Sequence, residues 1–217
     1  MLRDLQSMLS RIYGIEHTLD VYDFLVTDAQ LLEQLETDES IRPGTEKLLI
    51  CQSEDEVGMT LYLDAELLER LTSMDPRRHL SHWNLADFWA VLEGLSHFNY
   101  VAWNAAADKP VTLMELELQA EVDKYIGARL LSEQQQTSLG AAVYRRLFDD
   151  PRFDENLDPT ELSRYRNASL YAARFCRSLE ARFGGSDFLP AVLGELRTFY
   201  RLPQPDKVGH IQAASFA

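Results

Sequence analysis

Cysteine is scarce in this chain: of 217 residues only two are cysteine, Cys51 in a predicted strand and Cys176 in a predicted helix. Two isolated cysteines exclude a disulfide framework and a zinc site built on thiolates. We therefore interpret both as small buried apolar residues. No apolar run approaches the roughly 20 residues of a membrane-spanning helix, and the first residues lack the apolar centre of a secretory signal. The sequence predicts a cytoplasmic protein that does not bind membranes.

Familiar catalytic motifs are also missing. The sequence contains no glycine-rich phosphate loop, no G-x-S-x-G turn, no C-x-x-C pair and no H-E-x-x-H helix, which disfavours nucleotide-binding proteins and the common hydrolases. Histidine is sparse and scattered, at His17, His79, His82, His97 and His210. On these grounds we expect no cofactor.

The charge is strongly acidic and unevenly distributed. Residues 1–110 contain 8 Lys and Arg against 20 Asp and Glu, a net charge of −12, and residues 111–217 contain 13 against 15, a net charge of −2, which together give −14. Such a field repels nucleic acid and anionic lipid, so neither is an expected partner. Solubility is the simplest explanation, and a basic partner protein is the alternative.

The first third of the chain mixes helix and strand signals. The spacing of apolar residues predicts helices over 2–12 and 29–36, and residues 21–27 are rich in β-branched and aromatic side chains. Residues 47–52 and 59–64 flank a glycine-containing connector at 53–58, which predicts an antiparallel hairpin. Met59, Leu61 and Leu63 alternate with Thr60 and Tyr62, as in a half-buried strand.

The rest of the chain is predicted to be helical. Thr112 with Glu115 matches a capping box, and so does Ser132 with Gln135. Asp158 precedes Pro159 and a first-turn carboxylate, another helix start. These signals and the apolar spacing predict helices over 84–104, 112–131 and 160–183, one beginning at Ser132, and one from Ser186 or Asp187 to about Tyr200.

Together these patterns predict an α+β fold, in which a small N-terminal antiparallel β-meander or hairpin packs on a predominantly helical body. We expect one domain over 1–217, composed of an α/β layer at 1–72, a connector at 73–82, a helical body at 83–201 and a loose tail at 202–217.

The helix over 84–104 carries the most plausible chemical constellation. At about 100° per residue, Glu93, His97, Tyr100 and Asn104 share one face opposite the main apolar stripe. A carboxylate four residues before a histidine orients the ring and raises its basicity, which predicts Glu93 and His97 as a catalytic pair and Tyr100 and Asn104 as binding residues. Tryptophans on the same side make the helix apolar nearly all round, which predicts that it is central.

A metal ion is not predicted at this helix. Metal-binding helices usually carry Glu-x-x-His or His-x-x-x-His, whereas the spacing here is Glu-x-x-x-His without a second histidine nearby. A polar face that meets solvent or packs on the strands is the plainer interpretation.

Two further helices carry candidate binding residues. Glu117, Glu121 and Lys124 line one side of the helix over 112–131, where a solvated face is the plainer interpretation and a weak pair between Glu121 and Lys124 is possible. The helix over 160–183 clusters three arginines on one side, and their guanidinium groups suit carboxylate or phosphate partners. They are Arg166, Arg174 and Arg177.

Two functional hypotheses follow. The first is a cytoplasmic, non-enzymatic interaction or regulatory protein that presents an acidic surface to a partner protein; self-association through the tryptophan-bearing face is a further option. The second is an enzyme or small-ligand binder whose acid/His site lies between the helices over 84–104 and 112–131.

Overall fold

The computed structural model of the chain describes residues 1–16, 19–35, 44–52, 57–151, 153, 155, 157–185 and 188–214. It confirms an α+β fold with a small sheet on a mostly helical body. The helices are α1 (Leu2–Tyr13), α2 (Ala29–Leu35), α3 (Ala65–Ser73), α4 (Leu85–Ala105), α5 (Leu113–Gln134), α6 (Gly140–Tyr144), α7 (Pro159–Phe183), α8 (Phe188–Arg201) and α9 (Gln204–Ala214). The strands are β1 (Leu25–Val26), β2 (Glu46–Gln52) and β3 (Val57–Leu63). No helix in these ranges has the length and apolar character that crossing a bilayer requires.

The sheet has the order β1-β3-β2 and is mixed, not antiparallel throughout. The hairpin of β2 and β3 is antiparallel as predicted, with Leu48 opposite Leu61; residues 53–56 of its connector lie outside the described part. β1 pairs parallel to β3, with Leu25 opposite Leu61, so the predicted antiparallel meander is wrong. The strand beside β1 is β3 and not β2, the next strand along the chain, whereas an antiparallel meander needs consecutive strands to be neighbours.

The inner end of the hairpin is covered on both sides. Leu61 and Leu63 are fully buried and Tyr62 is also buried, so this part of β3 is not the half-buried strand predicted. The other end of the hairpin is exposed, and Cys51 is exposed with it, contrary to the sequence interpretation. Cys176 in α7 is buried as expected.

Helix α4 lies inside the molecule, as its sequence predicts. It packs against α1, α5, β2 and β3, and its apolar stripe is inaccessible to solvent. Two glycines permit this close packing: a Cβ atom at Gly94 would stand 3.0 Å from Leu61 of β3, and one at Gly127 of α5 would stand 2.6 Å from Leu92 of α4. Glycine therefore sets how closely the sheet and α5 approach α4.

Two of the helices begin at residues that form capping hydrogen bonds with the first turn, as predicted. The capping box of Thr112 and Glu115 is present, and so is one formed by Asp158 and Glu161. The start predicted at Ser132 is wrong, because α5 continues through it and its hydroxyl hydrogen-bonds with the backbone of Thr137 and Gly140 instead. The predicted starts at Ser186 and Asp187 lie outside the described residues.

The C-terminal segment differs from the predicted loose tail. Residues 204–214 form α9, in which Lys207 and Ile211 are buried and which packs on α7. Residues 215–217 lie outside the described part. The segment is short and polar, so its order depends on the surface it covers and not on its own composition.

Candidate functional site

Ionisable side chains from one strand and three helices meet in the interior, at a group that we call the Glu/His cluster. Its members are Glu46 of β2, Glu93 and His97 of α4, Glu117, Glu121 and Lys124 of α5, and Arg164 of α7. The face of α5 predicted to be solvated is therefore largely buried, with Glu117 and Lys124 both less than a tenth exposed.

Lys124 links the two central helices electrostatically. Its Nζ atom lies 3.0 Å from Oε2 of Glu93 and also contacts Oε1 of Glu121. Burial lowers the pKa of a lysine, but the two carboxylates outweigh it and raise the pKa of Lys124. Burial works against ionisation of Glu93 as well, but Lys124 and His97 lower its pKa. Lys124 and Glu93 are therefore ionised at neutral pH. Burial raises the pKa of Glu121, although Lys124 acts in the opposite direction.

His97 has an unused ring nitrogen. Among the described residues, its Nε2 atom is buried without a hydrogen-bond partner and lies 3.8 Å from Oε2 of Glu117, too far for a hydrogen bond. Burial lowers the pKa of His97 below its usual value, with Glu93 acting in the opposite direction. The ring is therefore neutral at neutral pH, and its nitrogen faces the carboxyl group of Glu117.

The outer carboxylates of the cluster are poorly compensated. Burial raises the pKa of Glu117 to about 8, and Glu93 adds to the effect, although Nε of Arg164 lies 3.9 Å from its Oε1. Burial likewise raises the pKa of Glu46, again with a contribution from Glu93. Oε2 of Glu46 has no hydrogen-bond partner in the ranges that the structure describes, and it lies 3.2 Å from where a Cβ atom of Gly94 would stand. Gly94 therefore makes room for this carboxylate against α4.

A cleft of about 850 Å³ reaches the cluster. Glu93, Glu121 and Lys124 lie on its wall, and Trp89 lies beside them with its indole N–H donating to the carbonyl of Lys124. Most of the remaining wall is apolar, formed by Leu85, Ala86, Ala90, Leu147, Phe153 and Leu157. Arg145, Arg146 and Asp150 belong to the segment around a π-helical turn at Arg145–Asp149, a local geometry that is frequent at functional sites.

The structure brings together four of the predicted site residues, Glu93, His97, Glu117 and Glu121. His97 faces Glu117 and not only Glu93, and Glu93 is engaged by Lys124. Tyr100 and Asn104 are buried at another place: the amide of Asn104 donates to the carbonyl of Tyr100.

The predicted arginines lie elsewhere. Arg166, Arg174 and Arg177 are exposed on α7, and Arg177 is 3.9 Å from Asp149. Arg164 reaches the cluster instead, because α7 turns that side of its surface towards α5.

Sequence reasoning also missed Glu46 and a second buried polar network. Asp123 accepts hydrogen bonds from Tyr13, Ser96 and Gln119, and Lys207 donates to Gln119 at 2.7 Å. None of these residues lines the cleft. Two signals were available in the sequence: Lys207 is a lone lysine in the predicted tail, and Asp123 lies inside an apolar helix. Neither signal specifies the partner of the side chain.

Comparisons of the chain with protein-family models, with curated proteins and with solved structures found no match. The chemical interpretation therefore depends on the site itself. The cluster can accept hydrogen bonds through several carboxylate oxygens, and the cleft can hold an organic molecule against an apolar wall.

Proposed function

We propose that the protein binds a small organic ligand in the cleft between α4, α5 and the lining residues at 145–147, 150–151, 153 and 157. The observation that carries this proposal is the combination of a cavity of about 850 Å³ with a mostly apolar wall and three ionisable groups, Glu93, Glu121 and Lys124, at one place on it. Cavities of about 300–1,000 Å³ with a few convergent polar groups are typical of ligand sites.

The charges indicate which end of the ligand faces the cluster. Two carboxylates and one ammonium group line this part of the cleft, and Glu46 and Glu117 lie behind them. Because carboxylates predominate, a head group with hydrogen-bond donors or a positive charge is favoured there over an anionic one. The apolar body of the ligand then lies against Trp89 and Leu147.

The test compares three probes that share one apolar body: 2-phenylethylamine, 2-phenylethanol and 3-phenylpropanoate. We expect calorimetry to detect binding of one amine per chain and weaker binding of the carboxylate. Ala86→Trp narrows the cleft and abolishes the binding, whereas Ala107→Trp, at an exposed position outside the cleft, leaves it intact. Equal affinity for all three probes, or amine binding that Ala86→Trp does not change, contradicts the proposal.

Interaction with a basic partner protein is a second candidate. It is supported by exposed carboxylates in the acidic half of the chain, among them Asp23, Glu33, Glu66 and Glu69. An association of this kind weakens with salt, since exposed charges are screened over about 10 Å at 0.1 M ionic strength. Replacement of Glu66 and Glu69 by glutamine is expected to lower the rate at which the protein associates with a basic partner protein. An association rate that does not change with salt concentration argues against this candidate.

A further inference from the structure

Three side chains in the Glu/His cluster are arranged like the ligands of one metal ion. Ligand atoms of Glu93, His97 and Glu117 all lie within 4.8 Å of one another. Nitrogen and oxygen ligands bound at about 2.0–2.2 Å to one ion lie up to about 4.4 Å apart, so small side-chain rotations suffice for a common ion. The separation of 3.8 Å between Nε2 of His97 and Oε2 of Glu117 already falls within this span.

A second observation, independent of the clustering, points to a ligand. His97 is 8% exposed, and no residue in the described part of the chain forms a hydrogen bond with its Nε2 atom. A buried polar atom without a partner carries a desolvation cost of about 1–3 kcal/mol, which is why such atoms are rare. Here the atom faces the carboxylate of Glu117 at a distance that excludes a hydrogen bond but allows a shared ion.

Carboxyl groups outnumber cationic side chains in the cluster. The cluster contains four carboxylates, Glu46, Glu93, Glu117 and Glu121, and two permanently cationic side chains, Lys124 and Arg164. With a neutral His97, the carboxyl groups exceed the cationic side chains by two. Buried charges require compensation by an ion or by protonation.

We propose that Glu93, His97 and Glu117 bind one divalent transition-metal ion at the inner end of the cleft. One imidazole with two carboxylates favours Zn²⁺, Co²⁺, Fe²⁺ or Mn²⁺ over Ca²⁺ and Mg²⁺, which prefer sites made of oxygen alone. Three protein ligands leave at least one coordination position open, as in catalytic metal sites. Glu93 also lines the cleft, so one of the three ligands is reachable from it. The site does not depend on the organic ligand proposed above.

The experiment uses the full chain freed of metal by a chelator and then titrated with Co²⁺. We expect one equivalent to bind, a visible absorption band to appear, and Zn²⁺ to displace it. His97→Gln and Glu117→Gln weaken binding at least about tenfold, since even the loss of groups that only orient metal ligands costs about 10- to 100-fold. No saturable Co²⁺ or Zn²⁺ binding by the wild type overturns the proposal, as does unchanged binding by folded His97→Gln.

The matched control is His210→Gln. His210 pairs with Glu195 at 2.6 Å, so this pair also combines a histidine with a glutamate, as the proposed metal site does. Among the described residues, however, no third ligand completes a metal site there. We expect His210→Gln to bind Co²⁺ like the wild type.

If the ligand variants do not fold, proton NMR of the wild type with Co²⁺ decides. Paramagnetically shifted signals of a single imidazole are expected, and their absence from the Co²⁺-bound protein overturns the assignment. Binding of 2-phenylethylamine in the presence of chelator separates the two proposals. If 2-phenylethylamine still binds although the protein binds no metal, only the metal site is excluded.

Discussion

Nζ of Lys124 on α5 lies 3.0 Å from Oε2 of Glu93 on α4, and this contact joins two helices that are both largely buried. The ammonium group also contacts Glu121, so one cation serves two carboxylates. Electrostatic compensation inside the protein therefore depends on a single side chain at this point.

Lys124→Met is expected to destabilise the protein by about 3–5 kcal/mol at pH 7, because it leaves buried carboxylates without their counter-charge. Urea unfolding measures the loss. Lys109→Met removes an exposed lysine near Trp103 and serves as the control, with an expected change below about 1 kcal/mol. A loss for Lys124→Met no larger than that of the control would mean that the contact does not matter to folding.

Lys207 is expected to make stability depend on pH. Burial lowers the pKa of Lys207 to about 7, although Glu115 and Asp123 act against this. Between this pKa and the unfolded value of about 10.4, the unfolded chain binds more protons than the folded chain, so stability rises with pH. Relative to Lys207→Met, the wild type should gain about 3 kcal/mol between pH 7 and pH 9.5.

Chemical denaturation of wild type and Lys207→Met at both pH values tests this, since other titrating groups cancel in the difference. A difference that stays constant across this range would show that Lys207 keeps an ordinary pKa. The reason for an ordinary pKa would then be the ring of Tyr100, whose centre lies 4.7 Å from Nζ of Lys207 and which stabilises the charged form of the lysine.

Gly127→Ala is expected to destabilise the protein by about 1–3 kcal/mol through overpacking, because the added Cβ atom meets Leu92 at 2.6 Å. Gly194→Ala in α8 is the matched control. A Cβ atom there meets nothing within 4 Å, so we expect the usual gain of about 0.5–1 kcal/mol for alanine over glycine in a helix. Thermal unfolding of both variants gives the comparison, and a gain for both would contradict the close approach of α4 and α5.

Ile211→Ala is expected to cost about 2–4 kcal/mol, because Ile211 is 1% exposed on α9 and its truncation leaves a cavity. Gln212→Ala, on the exposed side of the same helix, should have little effect. Urea unfolding distinguishes a docked helix from a loose tail, for which both substitutions would be neutral.

Local signals predicted the central helices well. The capping box of Thr112 and Glu115 marks the start of α5, and apolar residues on nearly every side of α4 predict its interior position. These predictions succeed because hydrogen bonding at a helix end and the 3.6-residue period depend on neighbours along the chain.

Other features depended on partners far away in sequence. α9 forms although its sequence is short and polar, because it covers the buried polar network through Lys207. β1 pairs parallel to β3 and not with β2, the next strand along the chain. Neither relation leaves a local pattern that could predict it.

The sequence by itself determined that Glu93 and His97 share one face of an interior helix, since helical geometry places residues four apart on the same side. Only the tertiary structure decided that Glu117, Lys124 and Glu46 meet them there. The distances between these elements depend on packing between remote residues, above all the space that Gly94 leaves for Glu46 and Gly127 leaves for Leu92. A one-dimensional pattern contains no information on such distances until the elements are packed.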